Sequence, residues 1–386
     1  MSEALLAAAR ALAPRITAAG PEMDAAGRLP PGLVSEMTAA GLFRMALPRS
    51  VGGAEADLAS FLDVTETLGA ADGSVGWCFV QACFSAAQVV VFLRPEVAKE
   101  IFGDPQTILA NGTGGEGDAV VVPGGYRLSG RWRFASGCTH ATWLKALARV
   151  VGPDGGRVPG PDGHPATRTL LFPAAPEHLE LAWDVSGLRG TGSHTVVVRD
   201  LFVPQEHTAD LVHDPRREDG PLYRLPSSSL AAAGFGTVAM GIARGTLDAF
   251  RELAGRKTAR GATRPLREDP LIQDRVARAE GQLRSVRALL RETSNEVWQT
   301  VAGGDALADD QRARFRLAAT YGSNQAAGVV EVIYHAAGAT AIFEHEGFAR
   351  RFRDVHAVTQ QIQSHDLHYQ AVGRVLLGLP AESGYM

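Results

Sequence analysis

Lysine is scarce in this chain of 386 residues, and its scarcity removes several classes of function. Only three of the 38 basic residues are lysines, namely Lys99, Lys145 and Lys257, and the formal net charge is −4. A strongly basic surface for nucleic acid is therefore not expected. Schiff-base chemistry and phosphate-binding loops, which depend on a lysine, have only these three candidate positions.

Cysteine is equally scarce, which argues against two kinds of small-domain architecture. The residues Cys78, Cys83 and Cys138 are an odd number, and none of them belongs to a Cys-x-x-Cys pair. We therefore expect neither a disulfide scaffold nor a zinc finger. Sparse cysteine is typical of proteins of the reducing cytoplasm, which is the location that we expect for this protein.

Long uninterrupted apolar segments are also missing. The first twenty residues include Glu3, Arg10 and Arg15, which interrupt the apolar core that a signal peptide needs. The most apolar run, residues 77–93, is punctuated by polar side chains and falls short of the ~18 apolar residues of a membrane span. We interpret the run as a buried helix, and we expect no membrane partner.

A helical pattern at both ends and a β-rich pattern between them organise the chain. Hydrophobic residues recur at helical spacing over residues 1–105 and again over 216–386. Residues 106–215 instead carry dense glycine and proline and many β-branched residues. The sequence therefore predicts three domains with these bounds: an N-terminal helical domain, a middle domain with a small antiparallel sheet, and a C-terminal helical bundle. Bundles with such long helices often form oligomers.

The same periodicities give the individual elements. Helices are predicted over 4–16, 33–40, 58–68, 75–93, 95–102, 230–253, 270–299, 308–338 and 348–377. Strands are predicted over 119–122, 126–128 and 195–202, and an exposed loop over 152–163.

One glycine-rich segment, residues 112–117 (GTGGEG), matches the pattern Gly-x-Gly-x-x-Gly. The dinucleotide-binding version of this pattern follows a strand and opens a helix. Here a predicted strand and a Pro-Gly-Gly turn follow instead. We interpret the segment as a flexible loop and not as a phosphate-binding turn.

Histidine and serine motifs give no firm catalytic assignment. His365 and His368 lie one helical turn apart with His356 nearby, which is a spacing that metal ligands use. Hydrogen-bonded or solvated histidines are the better interpretation without a third ligand, so no metal is predicted. No Gly-x-Ser-x-Gly elbow is present, which disfavours a serine hydrolase.

The most unusual segment is residues 132–138 (WRFASGC). Trp132 and Phe134 alternate at strand spacing ahead of Ser136, and His140 follows closely. Aromatic residues on a strand commonly fill a core. The more specific hypothesis is that a flat ring system binds against this strand.

At this segment the chain resembles the acyl-CoA dehydrogenase superfamily and, more narrowly, its two-component flavin-dependent monooxygenase branch (group D). The resemblance starts from residues 126–137 (YRLSGRWRFASG). It extends in order and spacing to three other regions, 72–77 (DGSVGW), 184–194 (DVSGLRGTGSH) with 200–204 (DLFVP), and 353–357 (RDVHA). It covers nearly the whole chain and implies the acyl-CoA dehydrogenase fold. That fold is α+β and mostly helical, with a middle antiparallel β-barrel-like domain and a C-terminal four-helix bundle.

The resemblance also implies a flavin site. It places Trp132, Phe134 and Ser136 beside the isoalloxazine ring, with Ser136 near flavin N5 and C4a. It assigns the other cofactor contacts to Gly192, Ser193, Arg260, His335 and Gly338, with Arg256 as a less favoured alternative to Arg260. Family members send this arginine to the flavin phosphates of a neighbouring subunit, so the resemblance implies a homotetramer.

The chain departs from the family at the catalytic base. Counting from Arg353 and Asp354, the glutamate of acyl-CoA dehydrogenases falls at Gln361 or Ile362, and the alternative glutamate position falls near Ser228. Abstraction of an α-proton needs a base of about carboxylate strength, and glutamine cannot titrate. Desaturation of an acyl thioester is therefore disfavoured.

Histidine is the other kind of base that the resemblance brings in. Many hydroxylases of the branch carry histidine at roughly the position of Gln361, where this chain has glutamine. His140 and His365 remain as local candidates, because a histidine with its ordinary pKa near 6.5 exchanges protons near neutrality. A substrate amine needs only its own lone pair, so N-oxygenation is a second possibility.

We therefore predict an oxidoreductase, a flavin-dependent monooxygenase that hydroxylates or N-oxygenates a small aromatic, polyketide-like or amino-bearing substrate. The expected cofactor is reduced FAD or FMN from a separate NAD(P)H:flavin reductase, with O₂ as co-substrate. Ser136 and His140 are the predicted catalytic residues, and the predicted substrate pocket consists of Trp77, His140, Gln361 and His365.

Two alternatives remain open at this point. The first is an FAD-dependent acyl-CoA dehydrogenase or oxidase, for which Asp354, Glu344 or Asp366 would have to supply a carboxylate over the flavin. The second is a non-catalytic binding module that keeps the fold of flavin enzymes.

Overall fold

The computed structural model describes residues 2–381 and places a sheet between two helical segments. The first segment contains α1 (Ser2–Ala18), α2 (Gly20–Ala26), α3 (Pro31–Ala39), α4 (Leu58–Ala71), α5 (Gly73–Val90) and α6 (Pro95–Phe102). The strands are β1 (Leu109–Asn111), β2 (Thr113–Val122), β3 (Gly125–Ala135), β4 (Trp143–Val151), β5 (Thr167–Pro173), β6 (Leu179–Glu180), β7 (His194–Pro204) and β8 (Thr208–Ala209). The last segment contains α7 (Pro221–Arg224), α8 (Ser227–Arg256), α9 (Pro270–Ala302), α10 (Asp309–Ala337), α11 (Phe348–Thr359) and α12 (Leu367–Leu376). The predicted order of helices, sheet and helices is confirmed.

The sheet is mixed: most of its strand pairings are antiparallel, as predicted, and two are parallel. Its strand order is β6-β7-β3-β2-β4-β5-β8, and β1 also pairs with β4. Both β1 and β2 run parallel to β4. The parallel pairing arises because β4 lies on the other side of β2 from β3. The chain between β3 and β4 therefore passes the end of β2 before β4 begins. Sequence reasoning missed β4 (WLKALARVV) and β5 (TRTLLFP), because their apolar and polar residues do not alternate as they do in a half-buried strand.

The glycine-rich segment 112–117 belongs to the sheet, so its interpretation as a loop was wrong. Most of it forms the start of β2, which pairs with β3 through an irregular register. A Cβ atom on Gly112 would lie 2.6 Å from Cβ of Trp132, and one on Gly117 would lie 2.2 Å from its indole ring. These glycines therefore let a large aromatic side chain approach the strand.

Two helices, α5 and α8, form the centre of the helical layer. Asp72 begins α5, because its Oδ1 accepts the backbone N–H groups of Ser74 and Val75 at 2.9 and 3.3 Å. By length and composition alone both helices could cross a membrane, but 89% of each apolar window is buried inside the protein. We therefore interpret them as core helices of the folded chain.

The predicted helix over 348–377 is interrupted near its middle. Helix α11 ends at Thr359, a 3₁₀ turn covers Ile362–Ser364, and α12 begins at Leu367. The side chain of Gln361 begins the turn by accepting the N–H of Gln363 at 2.6 Å. Polar side chains that bond to the nearby backbone compete with helix, which explains the break.

Hydrophobic packing divides the molecule between two main cores. Helices that precede and follow the sheet share one continuous core, whereas the sheet has a separate core around Trp132. All three cysteines are buried and free. Helix α5 packs against both the sheet and α8. The recognised segments 72–77, 126–137 and 184–194 therefore meet at this junction.

Candidate functional site

A β-bulge at the end of β3 separates the two aromatic residues that the sequence placed together. The pairing of β3 with β7 shifts between Trp132 and Ala135, and Phe134 adopts a φ of +57°. Positive φ is strained for a bulky residue and often marks a functional position. The bulge leaves 57% of Phe134 exposed, compared with 1% of Trp132. The predicted sharing of one face by these side chains was therefore wrong.

Trp132 is a core residue, which does not support its predicted place beside the cofactor. Its indole Nε1–H donates to the backbone oxygen of Leu147 at 2.8 Å, within the core of the sheet. Filling a core was the alternative that the alternating pattern left open.

Phe134 instead belongs to an exposed aromatic corner that includes Trp183. The two rings meet edge to face, with centroids 6.1 Å apart and an interplanar angle of 85°. Trp183 is held in place because its Nε1–H donates to the oxygen of Leu188 at 3.1 Å and its backbone N–H donates to Nδ1 of His194 at 3.1 Å. Sequence reasoning missed Trp183, although it directly precedes the recognised segment 184–194.

A chain of hydrogen bonds runs inward from this corner. Nε1–H of Trp77 donates to Oγ of Ser136 at 2.9 Å, and that Oγ lies 2.7 Å from Oγ of Ser193. Oγ of Ser193 lies 2.6 Å from Oγ1 of Thr191, which donates to the oxygen of Leu188 at 2.8 Å. All three hydroxyl residues are buried. The two serines that the resemblance assigned to the cofactor are thus in direct contact.

The other side of Ser136 is lined by aromatic rings from the helices. The rings of Trp77 and Phe235 lie 4.2 Å apart, which joins α5 to α8 beside the hydroxyl chain. One turn further along α5, Nε2 of Gln81 donates to Oδ1 of Asn111 at 2.5 Å, which ties the helix to β1. Apolar walls of this kind restrict water around a reacting group.

His140 lies close to Ser136 but has a different electrostatic state from the expected one. Its ring packs 6.3 Å from that of Phe43, and a Cβ on Gly137 would lie 3.0 Å from its Nε2. Burial lowers the pKa of His140 to about 4, so the expected pKa near 6.5 was wrong. Among the described residues, its Nδ1 is buried and has no hydrogen-bond partner. The imidazole is therefore neutral at pH 7 and is able to accept a proton.

The remaining substrate-pocket candidates, Gln361 and His365, have local structural roles. The amide oxygen of Gln361 caps the 3₁₀ turn, and Nδ1 of the exposed His365 accepts the N–H of Leu367 at 3.2 Å. Within residues 2–381, neither side chain hydrogen-bonds to Trp77 or Ser136. The structure therefore brings Trp77 and His140 together near Ser136 but gives Gln361 and His365 no such contact.

Arg260, His335 and Gly338, the predicted contacts for the far end of the cofactor, lie at the other end of α8. The C-terminal ends of α8 and α10 meet there, because Nζ of Lys257 donates to the oxygen of Ala337 at 2.6 Å. All three predicted residues are exposed, and Gly338 has φ +59° and ψ −147°, which suits glycine alone.

The two ends of the predicted cofactor site are far apart within one chain. Phe235 and Arg256 are 21 positions apart on α8, and at 1.5 Å per residue this amounts to about 30 Å. Arg256, the less favoured alternative, is paired with Glu346 at 2.6 Å. One chain therefore presents the two groups of candidate residues at opposite ends of the helical layer.

The three carboxylates from which the dehydrogenase alternative would need its base are engaged elsewhere or exposed. Oδ1 of Asp354 is buried and accepts the N–H of Leu188 at 2.6 Å, behind the loop that carries Thr191. Glu344 pairs with Arg353 at 3.0 Å, and Asp366 is exposed.

Asp354 should make the stability of the protein depend on pH. The pKa of Asp354 is raised far above the ordinary value of about 4. Burial is the largest cause, and repulsion by the nearby carboxylate of Asp72 is the second. A raised pKa means that the folded chain favours the neutral acid. The contribution of neutral Asp354 to the free energy of unfolding is complete below about pH 4 and is lost as the pH rises towards the raised pKa.

Replacing Asp354 with asparagine tests this effect, because D354N keeps an oxygen for Leu188 and cannot ionise. We expect the free energy of unfolding of D354N, measured by urea denaturation from pH 5 to pH 9, to decline less with pH than that of the wild type. D366N, which alters an exposed carboxylate of the same region, is the control. Parallel profiles for D354N and the wild type would contradict the assignment.

The histidines proposed as alternative metal ligands are engaged elsewhere. Nε2 of His368 lies 2.7 Å from the oxygen of Ile362, and Nδ1 of His356 lies 2.8 Å from that of Phe352. In the part of the chain that the structure describes, no group of three or more histidine, cysteine or acidic residues is placed to hold a metal ion.

Family models match both helical parts of the chain. The N-terminal domain of acyl-CoA dehydrogenase matches residues 2–102, and the C-terminal domain of acyl-CoA dehydrogenase matches residues 233–366. The matched regions contain Trp77, Phe235 and Asp354, which surround the hydroxyl chain.

Individual proteins match over nearly their whole length. The chain is 33% identical to indole-3-acetate monooxygenase of Pseudomonas putida, over 95% of this chain and 91% of that protein. It is 29% identical to the FADH₂-dependent resorcinol hydroxylase, oxygenase component, of a Rhizobium species, over 94% and 91% of the two chains. The crystal structure of the HsaA monooxygenase from M. tuberculosis superposes with a TM-score of 0.87 at 26% identity and covers 100% of both chains.

Proposed function

Since the chain belongs to the acyl-CoA dehydrogenase superfamily and, within it, to the flavin-dependent monooxygenases, we propose that it is the oxygenase component of a two-component system. It is an oxidoreductase that uses reduced flavin and O₂. A separate NAD(P)H:flavin reductase supplies the reduced flavin, as FAD or FMN, and the proposed location of both proteins is the cytoplasm.

The exposed corner at the end of β3 suits a flat ring system. Phe134 offers an apolar face that the rest of the chain leaves uncovered, with Trp183 standing edge-on beside it. Ser136, two residues further on, has a hydroxyl oxygen that already makes two hydrogen bonds and keeps one lone pair. These features support the proposal that Phe134 and Ser136 receive the flavin ring with its N5 edge at Ser136.

When bound, reduced flavin reacts with O₂ and supplies one oxygen atom to the substrate, while the other leaves as water. The residues of the chain bind and orient the ring and exclude water from it. Trp77 and Phe235 provide an apolar wall beside Ser136 that excludes water, and the loop of Ser193 holds the hydroxyl of Ser136 in place.

The proposed substrate is a small aromatic molecule that undergoes hydroxylation. The adjacent, tilted rings of Trp77 and Phe235 are suited to packing against an aromatic ring. The names of the relatives, which refer to indole-3-acetate and resorcinol, point to the same class. N-oxygenation of an amine is the second candidate, since the neutral His140 is a weak base and an amine does not need one.

A homotetramer is the proposed assembly. Arg260, His335 and Gly338 lie near the C-terminal end of α8, about 30 Å along that helix from Phe235 of their own chain, so we propose that they serve the flavin of a neighbouring copy. Light scattering should then give four times the chain mass of 40.8 kDa, and a monomer would remove this part of the proposal.

The bulge that exposes Phe134 beside Ser136 is the observation that carries the proposed function. To test it, purified protein is given reduced flavin from a reductase, O₂, and indole-3-acetate or resorcinol as the probe substrate. We expect a hydroxylated product whose formation depends on reduced flavin. Under anaerobic conditions, an acyl-CoA should leave bound oxidised flavin unbleached, and bleaching would favour the dehydrogenase alternative.

His140 is proposed to accept a proton from the substrate during hydroxylation. Its buried, unpartnered Nδ1 beside the turn of Ser136 supports this role. We expect H140A to lower the amount of product per O₂ consumed by roughly a hundredfold, the lower end of the range for loss of a general base. H164A, at an exposed position, is the control. An unchanged product yield in H140A would remove this residue from the mechanism.

A further inference from the structure

We propose that Thr191 and Ser193 are positioning residues that fix the direction of the Ser136 hydroxyl, so that the site prefers reduced over oxidised flavin. This inference rests on the proposed function, because it takes the N5 edge of the flavin to lie at Ser136. It follows from counting the protons available in the hydrogen-bond chain.

The two ends of the chain have fixed polarity. At one end, Nε1–H of Trp77 can only donate, and it donates to Oγ of Ser136 at 2.9 Å. At the other end, the carbonyl oxygen of Leu188 can only accept, and it receives Oγ1–H of Thr191 at 2.8 Å. The same carbonyl also accepts Nε1–H of Trp183 at 3.1 Å and the backbone N–H of Thr191 at 3.2 Å, so it is surrounded by donors and has no proton of its own to give.

Fixed ends determine every proton between them, because each hydroxyl has one proton to donate. Thr191 uses its proton on Leu188, so the 2.6 Å contact between Thr191 and Ser193 needs the proton of Ser193. Ser193 then has none left, so its 2.7 Å contact with Ser136 needs the proton of Ser136. The donors therefore run in one direction, from Trp77 through Ser136, Ser193 and Thr191 to Leu188.

Ser136 consequently presents only a lone pair to a bound ring. The N5 atom of reduced flavin carries a hydrogen and can donate to that lone pair. In oxidised flavin, N5 has a lone pair of its own, so two acceptors would face each other without a proton between them. An unmatched polar contact in a dry site costs affinity, which disfavours the oxidised form.

The surrounding loop holds this arrangement in place. Leu188 has a φ of +53°, a conformation that a bulky residue keeps only where surrounding contacts hold it. Asp354 supplies one such contact by accepting the N–H of Leu188 at 2.6 Å. The three hydroxyl residues are at most 6% exposed, so water has little access to reverse the chain.

Thr191→Val breaks the chain with little change in shape. Without the Thr191 acceptor, Ser193 is free to donate to Ser136, and the proton of Ser136 is then free to reach N5 of oxidised flavin. The measurement is the dissociation constant of oxidised flavin and, anaerobically, of reduced flavin. We expect the preference for reduced flavin to fall on the order of tenfold in T191V. For this two-electron couple, that equals about 30 mV in the potential of the bound flavin.

Matched variants separate this effect from a loss of packing. T191S keeps the hydroxyl and should keep the wild-type preference. T246V removes a different buried hydroxyl, one that donates to the oxygen of Ile242 at 2.7 Å within α8, and should leave the preference unchanged. S193A, which frees the Ser136 proton directly, should shift the preference in the same direction as T191V.

The outcomes distinguish the inference from the function on which it rests. An unchanged preference in both T191V and S193A overturns the positioning role while the proposed function stands. A wild-type protein that binds reduced flavin no better than oxidised flavin also overturns the positioning role. A wild-type protein that binds neither form overturns the proposed function and this inference with it.

Discussion

Replacing Ser136 with alanine is expected to leave a folded protein that consumes O₂ but forms little product. The variant removes the hydroxyl that accepts from Trp77 and faces the proposed N5 edge of the flavin. Loss of one preorganised hydrogen-bonding group in a dry site commonly costs two orders of magnitude or more in rate when it stabilises charge. For a neutral contact we expect at least about a tenfold loss of product per O₂ consumed.

The comparison for S136A is S294A. Ser294 is also buried, but its Oγ has no hydrogen-bond partner among the described residues and it lies on α9. Product and O₂ consumption are measured in parallel, together with the hydrogen peroxide that uncoupled turnover releases. Equal coupling in S136A and S294A would contradict the central place of Ser136.

Replacing Gly187 with alanine is expected to damage both stability and flavin binding. A Cβ at this position would lie 2.2 Å from the oxygen and 2.5 Å from the carbonyl carbon of Arg353, and both are backbone atoms that cannot turn away. The loop must therefore move off α11, which disturbs the hydrogen bond from the N–H of Leu188 to Asp354 and the position of Ser193. We expect the free energy of unfolding to fall by about 3 kcal/mol, the upper range for overpacking.

G281A provides the matched glycine replacement. Nothing lies within 4 Å of a Cβ at Gly281, which is on helix α9, so alanine should be neutral or slightly stabilising there. Urea denaturation gives the stabilities, and anaerobic titration gives the affinity for reduced flavin. A G187A protein with wild-type values in both measurements would show that the close approach to Arg353 is not needed.

The features that could be predicted from sequence are those with a local signal. Helical periodicity placed the long helices, because the apolar residues that carry this pattern recur within one or two turns of each other. Strands β4 and β5 gave no comparable signal, because their apolar and polar residues do not alternate. The parallel pairing of β4 with β1 and β2 depends on how the chain passes the end of the sheet between β3 and β4, which no local pattern records.

At the site, the sequence identified the segment but not the geometry. Ser136 and Ser193 were singled out, and they lie in contact. Trp132 and Phe134 were paired by strand alternation, which fails here because a bulge at Phe134 turns the backbone to positive φ. Trp183 and Phe235 were missed because their importance comes from contacts over long sequence separations. The pKa of His140 likewise depends on burial, which only the fold provides.

Mixing protein-bound reduced flavin with O₂ in a stopped-flow spectrometer tests the central claim most directly and needs no substrate. The account predicts that the wild-type protein returns to oxidised flavin in two phases, through a long-lived and spectrally distinct species, and that S136A returns in one fast phase. Single-phase reoxidation in the wild type, at the rate of free flavin, would contradict the claim that this site holds reduced flavin for oxygen transfer.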